Sequence, residues 1–353
     1  MGCSSSAPAD KDLSAYGVGV TIDAPTSKRV FRGGHGEYCN GVAAGNAAGQ
    51  WMSCAEDKAI MVTDWHAQRV LMTWRGHTKG VNRVIAAPHV NGALSASRDT
   101  TVKLWKLDEE APVLTLKKHE LSVQAIALAE DGSQALSGSR DSNLCVWDLS
   151  TGALTNSVYV SRNVVTCARW VPGEPHLVAQ GSEDLKLRIW DVRTLSKPAA
   201  LVEGKYTYFP LCIDCDDQYV VTGSNGFDGV GCEVRLWDRR KMTQLHELKG
   251  HEQGVMGVAF LKKGSGADAA APRQIASACK AGTLCVWDGD AGMRTAQSSC
   301  IGDGVTGLAA ARADETERDV RLYASCAEGQ VHAIGLEPGS NTLSVVATGK
   351  QDE

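Results

Sequence analysis

Thirteen residues, LSGSRDSNLCVWD from Leu136 to Asp148, constrain this chain more than any other stretch. Small and apolar residues alternate up to Ser139, Arg140-Asp141 breaks the run, and alternation resumes through Leu144 and Val146 to Trp147-Asp148. A period of two on both sides of a short polar break predicts two β-strands joined by a tight turn. The stretch recurs along the chain. SCAEDKAIMVTD starts at Ser53, LSASRDTTVKLWK at Leu94, QGSEDLKLRIWD at Gln180 and ASACKAGTLCVWD at Ala276. Looser copies run from Val221 to Asp238 and from Tyr323 to Gly335. The closing positions are Thr63, Trp105, Trp147, Trp190, Trp237, Trp287 and Ile334, spaced by 42, 42, 43, 47, 50 and 47 residues. Units of this kind cannot bury their apolar faces alone, so seven of them predict one stacked, all-β object.

A second anchor keeps register with the first: His35, His77 and His119 each stand 22 residues before Asp57, Asp99 and Asp141. With the period, the turn Asp and the closing Trp-Asp, this resembles the WD40-repeat family over roughly residues 30 to 348. The resemblance implies a seven-bladed β-propeller of four-stranded blades, with strands a to d counted outward from the central channel. It also implies a hydrogen-bonded set in each blade, linking the His to the b–c turn Asp, a strand-b Ser and the strand-c Trp. By that pattern the set is complete in the second blade (His77, Asp99, Trp105) and the third (His119, Asp141, Trp147). His35 and Asp57 lack the Trp, which is replaced by Thr63. In the fourth blade Ser161-Arg162 replaces the Gly-His pair, leaving Asp184 and Trp190; the fifth keeps Trp237. His251 and Trp287 of the sixth have lost the Asp to Ala281, and the seventh has neither Trp nor His. The last two blades are therefore expected to be softer. All of these residues are read as structural, not catalytic.

The expected organisation is a tether over residues 1–28, a propeller over 29–348 and a tail over 349–353. Surplus length falls where loops absorb it: the b–c turn Asn225 to Gly231, the small-residue run Lys262 to Gln274, and the charged run Arg312 to Asp319. Ring closure has two candidates, Val30-Phe31-Arg32 from the N-terminal side and Leu343 to Thr348 from the other end. A net charge of −5 argues against a nucleic-acid footprint. No apolar run reaches the length of a membrane span, and no signal-peptide core follows Met1. Most of the twelve Cys are scattered through strand-like segments, which suits small buried hydrophobes in a reducing cytosol.

The opening Met1-Gly2-Cys3-Ser4-Ser5-Ser6 fits N-myristoylation on Gly2. One myristoyl chain binds membranes only marginally, so anchoring needs a second signal. Lys11 is the only cation among the first 27 residues, and a palmitate on Cys3 would supply that signal. The chain is thus expected to carry a short, flexible, lipidated N-terminal tether and to sit on the cytoplasmic face of a membrane.

Other motifs carry less chemistry. Cys212 and Cys215 have the CxxC spacing of metal and redox sites, but an offset of three along a strand puts the thiols on opposite faces. The Gly-rich turn Gly226 to Gly231 lacks the Lys and the following helix of a phosphate cradle. No nucleophile motif is present, so no enzyme, cofactor, small-molecule substrate or metal site is expected. The residues preceding the b–c turn Asp positions are Glu56, Arg98, Arg140, Glu183, Asn225, Lys280 and Ala327, and the family pattern places them on the channel rim. Arg98, Arg140, Glu183 and Lys280 are candidate partner contacts, with the basic pair on blades two and three suited to an acidic patch. Phe227, an aromatic at the tip of an inserted loop, is a further contact candidate. Trp190-Asp191-Val192-Arg193 and Trp237-Asp238-Arg239-Arg240 resemble the WDxR motifs of cullin-4 ubiquitin-ligase substrate receptors, which would make Arg193 and Arg240 adaptor contacts.

A narrower resemblance lies in the middle of the chain. Ser161 to Thr166 (SRNVVT), Trp170-Val171-Pro172, Ser182-Glu183-Asp184 and the run SNGFDGVGCE from Ser224 are similar to the WD repeat-containing protein 31 family. That resemblance implies a non-enzymatic interaction scaffold in cilia or flagella, regulating intraflagellar transport and BBSome recruitment, with ciliary trafficking or small-GTPase regulatory proteins as partners. A cullin-4 receptor and a structural axonemal propeller are the alternative expectations.

Overall fold

The computed structural model describes residues 29–32, 34–160, 164–261, 273–299, 301, 304–311, 320–336 and 343–350. Among the described residues there are 29 strands and one short 3₁₀ turn at Pro88–Val90. The strands form seven sheets, each a four-stranded antiparallel meander, with one extra strand added parallel to the edge of one of them. In blade one the strands a to d are Cys39–Ala44, Gln50–Ala55, Ala59–Asp64 and Arg69–Arg75. The repeat motif occupies strands b and c of each blade, and Leu136 to Asp148 supplies strands Gln134–Ser139 and Asn143–Asp148 of blade three.

A blade buried on both faces needs apolar side chains on both, which is why strands b and c read as nearly continuous runs of buried residues. The core is divided into seven clusters, one for each contact between adjacent blades around the ring. Each strand-c Trp faces the preceding blade: Trp105 joins the cluster between blades one and two, and Trp147 that between two and three. Blade one has Thr63 there. The aromatic instead comes from the neighbouring strand, where Trp51 pairs across to Thr63. Trp51 and Trp65 fill the junction with blade seven, and Trp51 meets the edge of Tyr323 at 5.5 Å between ring centroids. Ile334 occupies the corresponding position between blades six and seven.

Both closure candidates are used. Strand Leu343–Lys350 is strand d of blade seven, two residues longer than the sequence boundary, and Arg29–Arg32 lies parallel outside it as a fifth strand. Because the chain passes from that outer position in blade seven to strand a of blade one, the ring is fastened from both ends and that edge is covered.

Strand a carries a bulge at its second residue in every blade, for example between Val81 and Arg83 and between Val165 and Cys167. A bulge re-aims one side chain. Here it turns a polar group across the blade boundary: Asn40 donates to the Val81 carbonyl at 2.9 Å and Asn82 to the Val123 carbonyl at 2.7 Å. Thr166 donates to the Pro210 carbonyl at 2.5 Å. These bonds clamp the inner strands around the channel.

Candidate functional site

The face that bears the b–c turns is organised by the His–Asp sets. In blade two, His77 Nδ1 donates to Asp99 at 2.8 Å, Ser95 Oγ bonds Nε2 at 2.8 Å, and Trp105 Nε1 donates to the same oxygen at 2.8 Å. Blade three repeats this with His119, Asp141, Ser137 and Trp147 at 2.8–2.9 Å. Blade one keeps His35, Asp57 and Ser53 without a Trp. The network selects one tautomer, protonated on Nδ1 and accepting the Ser hydroxyl proton on Nε2. Burial alone would raise the carboxyls of Asp57, Asp99 and Asp141. Hydrogen bonds from the His rings and nearby backbone N–H groups outweigh it and hold all three below the ordinary carboxylate value.

The other blades solve the same problem with different residues. In blade four, Trp190 Nε1 donates to Gln180, which takes the Ser position. Asp184 there pairs with Arg188, both nearly buried, and Arg188 also donates to Ser182 at 2.9 Å. Ser161-Arg162 lies outside the described residues. In blade five Trp237 Nε1 donates to Thr222 at 3.1 Å, and the Tyr206 hydroxyl bonds the same oxygen at 2.8 Å. Tyr206 thus takes the place of the His; at 16 residues before its partner instead of 18, it is invisible to a spacing rule. In blade six His251 and Trp287 both bond Ser277 at 2.7 Å, but His251 Nδ1 has no hydrogen-bond partner among the described residues. Burial, with Arg294 adding to it, pushes His251 down to about 4.

These sets hold the turns that reach the rim. Arg140, Glu183 and Lys280 are exposed there. Arg98 is half exposed, but its charge is not available as a free basic patch. Its guanidinium pairs with Glu56 of blade one at 2.6 Å and contacts Asn82 at 3.3 Å. The expected basic pair on blades two and three is therefore reduced to Arg140, because the neighbouring rim position is acidic and within reach.

The inserted blade-five turn forms a tight hairpin. Phe227 and Val230 exchange both backbone hydrogen bonds at 3.0 Å around Asp228-Gly229, whose φ values are 50° and 74°. Two successive positive φ values match a type I′ turn. Gly229 N–H donates to the Glu252 carbonyl of the next blade at 2.8 Å, and Tyr208 lies against Gly231 so closely that a Cβ there would stand 2.2 Å from the ring. The hairpin is thus pinned at its turn through Gly229 and at its base beside Gly231, and its closing pair, Phe227 (60% exposed) and Val230 (57%), faces outward. Tyr38, Leu121 and Tyr208 add exposed apolar surface in other turns of this face.

On the opposite face, Arg193 is exposed and folded onto its own Asp191 at 2.6 Å, a bond that helps hold the Asp191 carboxyl down at about 2. Arg240 is exposed, whereas Arg239 is buried against Glu174 at 3.3 Å. Cys212 and Cys215 point into different inter-blade clusters. Burial pushes the thiols of Cys39, Cys145 and Cys285 up to about 12, which removes their nucleophilic character at neutral pH. No group of three metal-capable side chains occurs among the described residues. Gly2 and Cys3 lie outside the described residues, as do nearly all of the Lys262–Gln274 run and the Arg312–Asp319 run.

Comparison with known proteins agrees with this geometry. The model of the WD domain, G-beta repeat, matches residues 68–106, 110–148, 154–191 and 242–288. The chain belongs to the WD40-repeat family. Each match begins at or just before the outer strand of one blade and runs through strand c of the next, so the four take in the strand-c Trp of blades two, three, four and six. Coronin-7 of Bos taurus is 27% identical over 223 residues, covering 53% of this chain and 22% of the relative. The DENN domain and WD repeat-containing protein SCD1 of Arabidopsis thaliana is 31% identical over 98 residues, covering 28% of this chain and 8% of the relative. WD repeat-containing protein 70 of Bos taurus is 32% identical over 73 residues, covering 20% and 11%. The WD40 chain thus spans about a fifth of the length of the coronin-7 relatives it matches. As a WD40 propeller it is suited to serve as a protein-interaction scaffold.

Proposed function

We propose that this scaffold captures a protein partner on the b–c turn face, with the blade-five hairpin as its anchor. The observation carrying the reading is the exposed Phe227–Val230 pair that closes the pinned hairpin. An exposed aromatic held rigid by two backbone bonds and a third to the next blade loses little entropy on binding. The finer reading is a membrane-tethered regulator of ciliary or flagellar trafficking. The Gly2-Cys3 start supports tethering through acyl chains on the cytoplasmic face, and the SRNVVT and SNGFDGVGCE runs support ciliary work by their resemblance to a ciliary family. The test pairs Phe227→Asp/Val230→Asp with Gly2→Ala in ciliated cells, using imaging, membrane fractionation and quantitative affinity capture. Loss of partners from the hairpin variant at unchanged thermal stability supports the anchor; an unchanged partner set sinks it. Loss of Gly2→Ala from both membrane and cilium supports the tether, whereas retention of that variant on demembranated axonemes favours the structural axonemal reading.

A cullin-4 receptor is the second reading, favoured by the exposure of Arg193 and Arg240 on one face. Arg193→Ala with Arg240→Ala should then abolish adaptor capture, and unchanged capture would leave that reading without its motif.

A further inference from the structure

The channel contains one side chain that the fold does not explain. Just past the bulge, the third residue of strand a sits at the same depth in every blade. The seven residues are Gly41, Arg83, Ala125, Cys167, Cys212, Gly257 and Gly307, each opposite the corresponding strand-b position. Six of the seven are small. Arg83 alone is long and charged, and it lines a channel of about 920 Å³. Its side chain crosses toward blade one, where a Cβ on Gly41 would stand 4.0 Å from its Cδ. Its charge biases the thiols of Cys54, Cys167 and Cys212 downward against their burial. Those thiols belong to blades one, four and five, so the guanidinium extends into the open centre of the ring.

Arg83 has no ion pair and no hydrogen bond to any described residue, whereas the other two arginines lining the channel are paired. One step down the strands, Arg169 pairs with Asp214 at 3.0 Å, and toward the far mouth Arg273 pairs with Asp216 at 2.6 Å. A guanidinium offers five donors in a planar fork that fits a carboxylate bidentately. The wall around it is Gly, Ala and Cys, which leaves room beside the fork and offers apolar contact. Asp217, Glu130 and Asp290 line the same channel, and their negative charge repels a dianion, whose second charge Arg83 does not match, more than a monoanion.

We propose that the channel is a binding site for a small organic monocarboxylate, its carboxylate held by Arg83 and its short apolar body lying against the small residues of the ring. Calorimetric titration of the full chain with butyrate at fixed ionic strength, with inorganic phosphate as the contrast, tests this. Saturable butyrate binding is expected, tenfold or more weaker in Arg83→Gln, which loses the charge and the bidentate fork. Arg83→Lys keeps the charge but loses the fork and should weaken binding by a smaller factor. Phosphate should bind more weakly than butyrate. Absence of saturation in the wild type overturns the proposal, as does equal affinity in Arg83→Gln with unchanged near-UV circular dichroism, or phosphate binding as tightly as butyrate. Should Arg83→Gln fail to fold, the wild type, the Lys variant and the phosphate contrast still decide it.

Discussion

Blade six carries the His, Ser and Trp of the repeat set but Ala281 in place of the turn Asp, which leaves His251 Nδ1 buried without a partner among the described residues. Restoring the acceptor with Ala281→Asp should stabilise the protein. The turn already has the required shape: Gly282 has φ of 83°, and the residues after Asp57, Asp99 and Asp141 have φ of 65–71°. An unsatisfied buried donor costs about 1–3 kcal/mol, and ordering and desolvating the new carboxylate returns part of that. A net gain of about 1–2 kcal/mol at neutral pH is expected. With an unfolding entropy of about 2.1 cal/mol/K per residue, that raises Tm by about 1–3 °C for a domain of this size. The pH dependence is the sharper readout. His251 titrates near its ordinary 6.5 when unfolded and at about 4 when folded, so between these values the unfolded chain binds the extra proton. Stability is therefore fully present above 6.5 and falls as pH drops toward 4, by about 3 kcal/mol at 1.36 kcal/mol per pH unit. In Ala281→Asp the new carboxylate favours the imidazolium, so this loss should shrink over the same window. Urea unfolding from pH 4.5 to 7.5, with His251 followed by NMR, measures both. Equal midpoints at pH 7 and an unchanged slope below pH 6.5 would refute the reasoning.

Three further outcomes follow from the same sets. Ser137→Ala removes the oxygen shared by His119 and Trp147, strands two buried donor–acceptor groups, and should cost about 2–4 kcal/mol by urea titration. Arg188→Met leaves Asp184 buried and unpaired and should cost about 3–5 kcal/mol, while Arg188→Met with Asp184→Asn should recover much of the loss; an additive double mutant would contradict the pairing. Hydrogen exchange should show strands b and c of blades six and seven opening more readily than those of blades two and three, because the former lack complete sets. Equal protection across these blades would show that packing, not the polar sets, governs local opening.

Much of the fold is legible in the chain itself, for a local reason. A blade is a meander whose strands are consecutive, so the alternation, the turn Asp and the closing Trp of each repeat report one contiguous unit, as in Leu136 to Asp148. The same locality exposes the His–Asp sets of blades two and three and the hairpin at Phe227. What the sequence hides involves partners brought together by the ring. Trp51 stands in for the missing Trp of blade one from the adjacent strand, because only the packed junction with blade seven shows which aromatic fills it. Tyr206 replaces a His at a different spacing, since reach in space and not sequence offset decides a hydrogen bond. Arg98 reads as basic until Glu56 of the next blade meets it. Closure by both ends joins residues more than 300 positions apart, with Arg29 beside Ala347. Arg83 is an ordinary strand residue until seven strands place it beside six small residues at one depth, and only the closed ring makes that depth a channel.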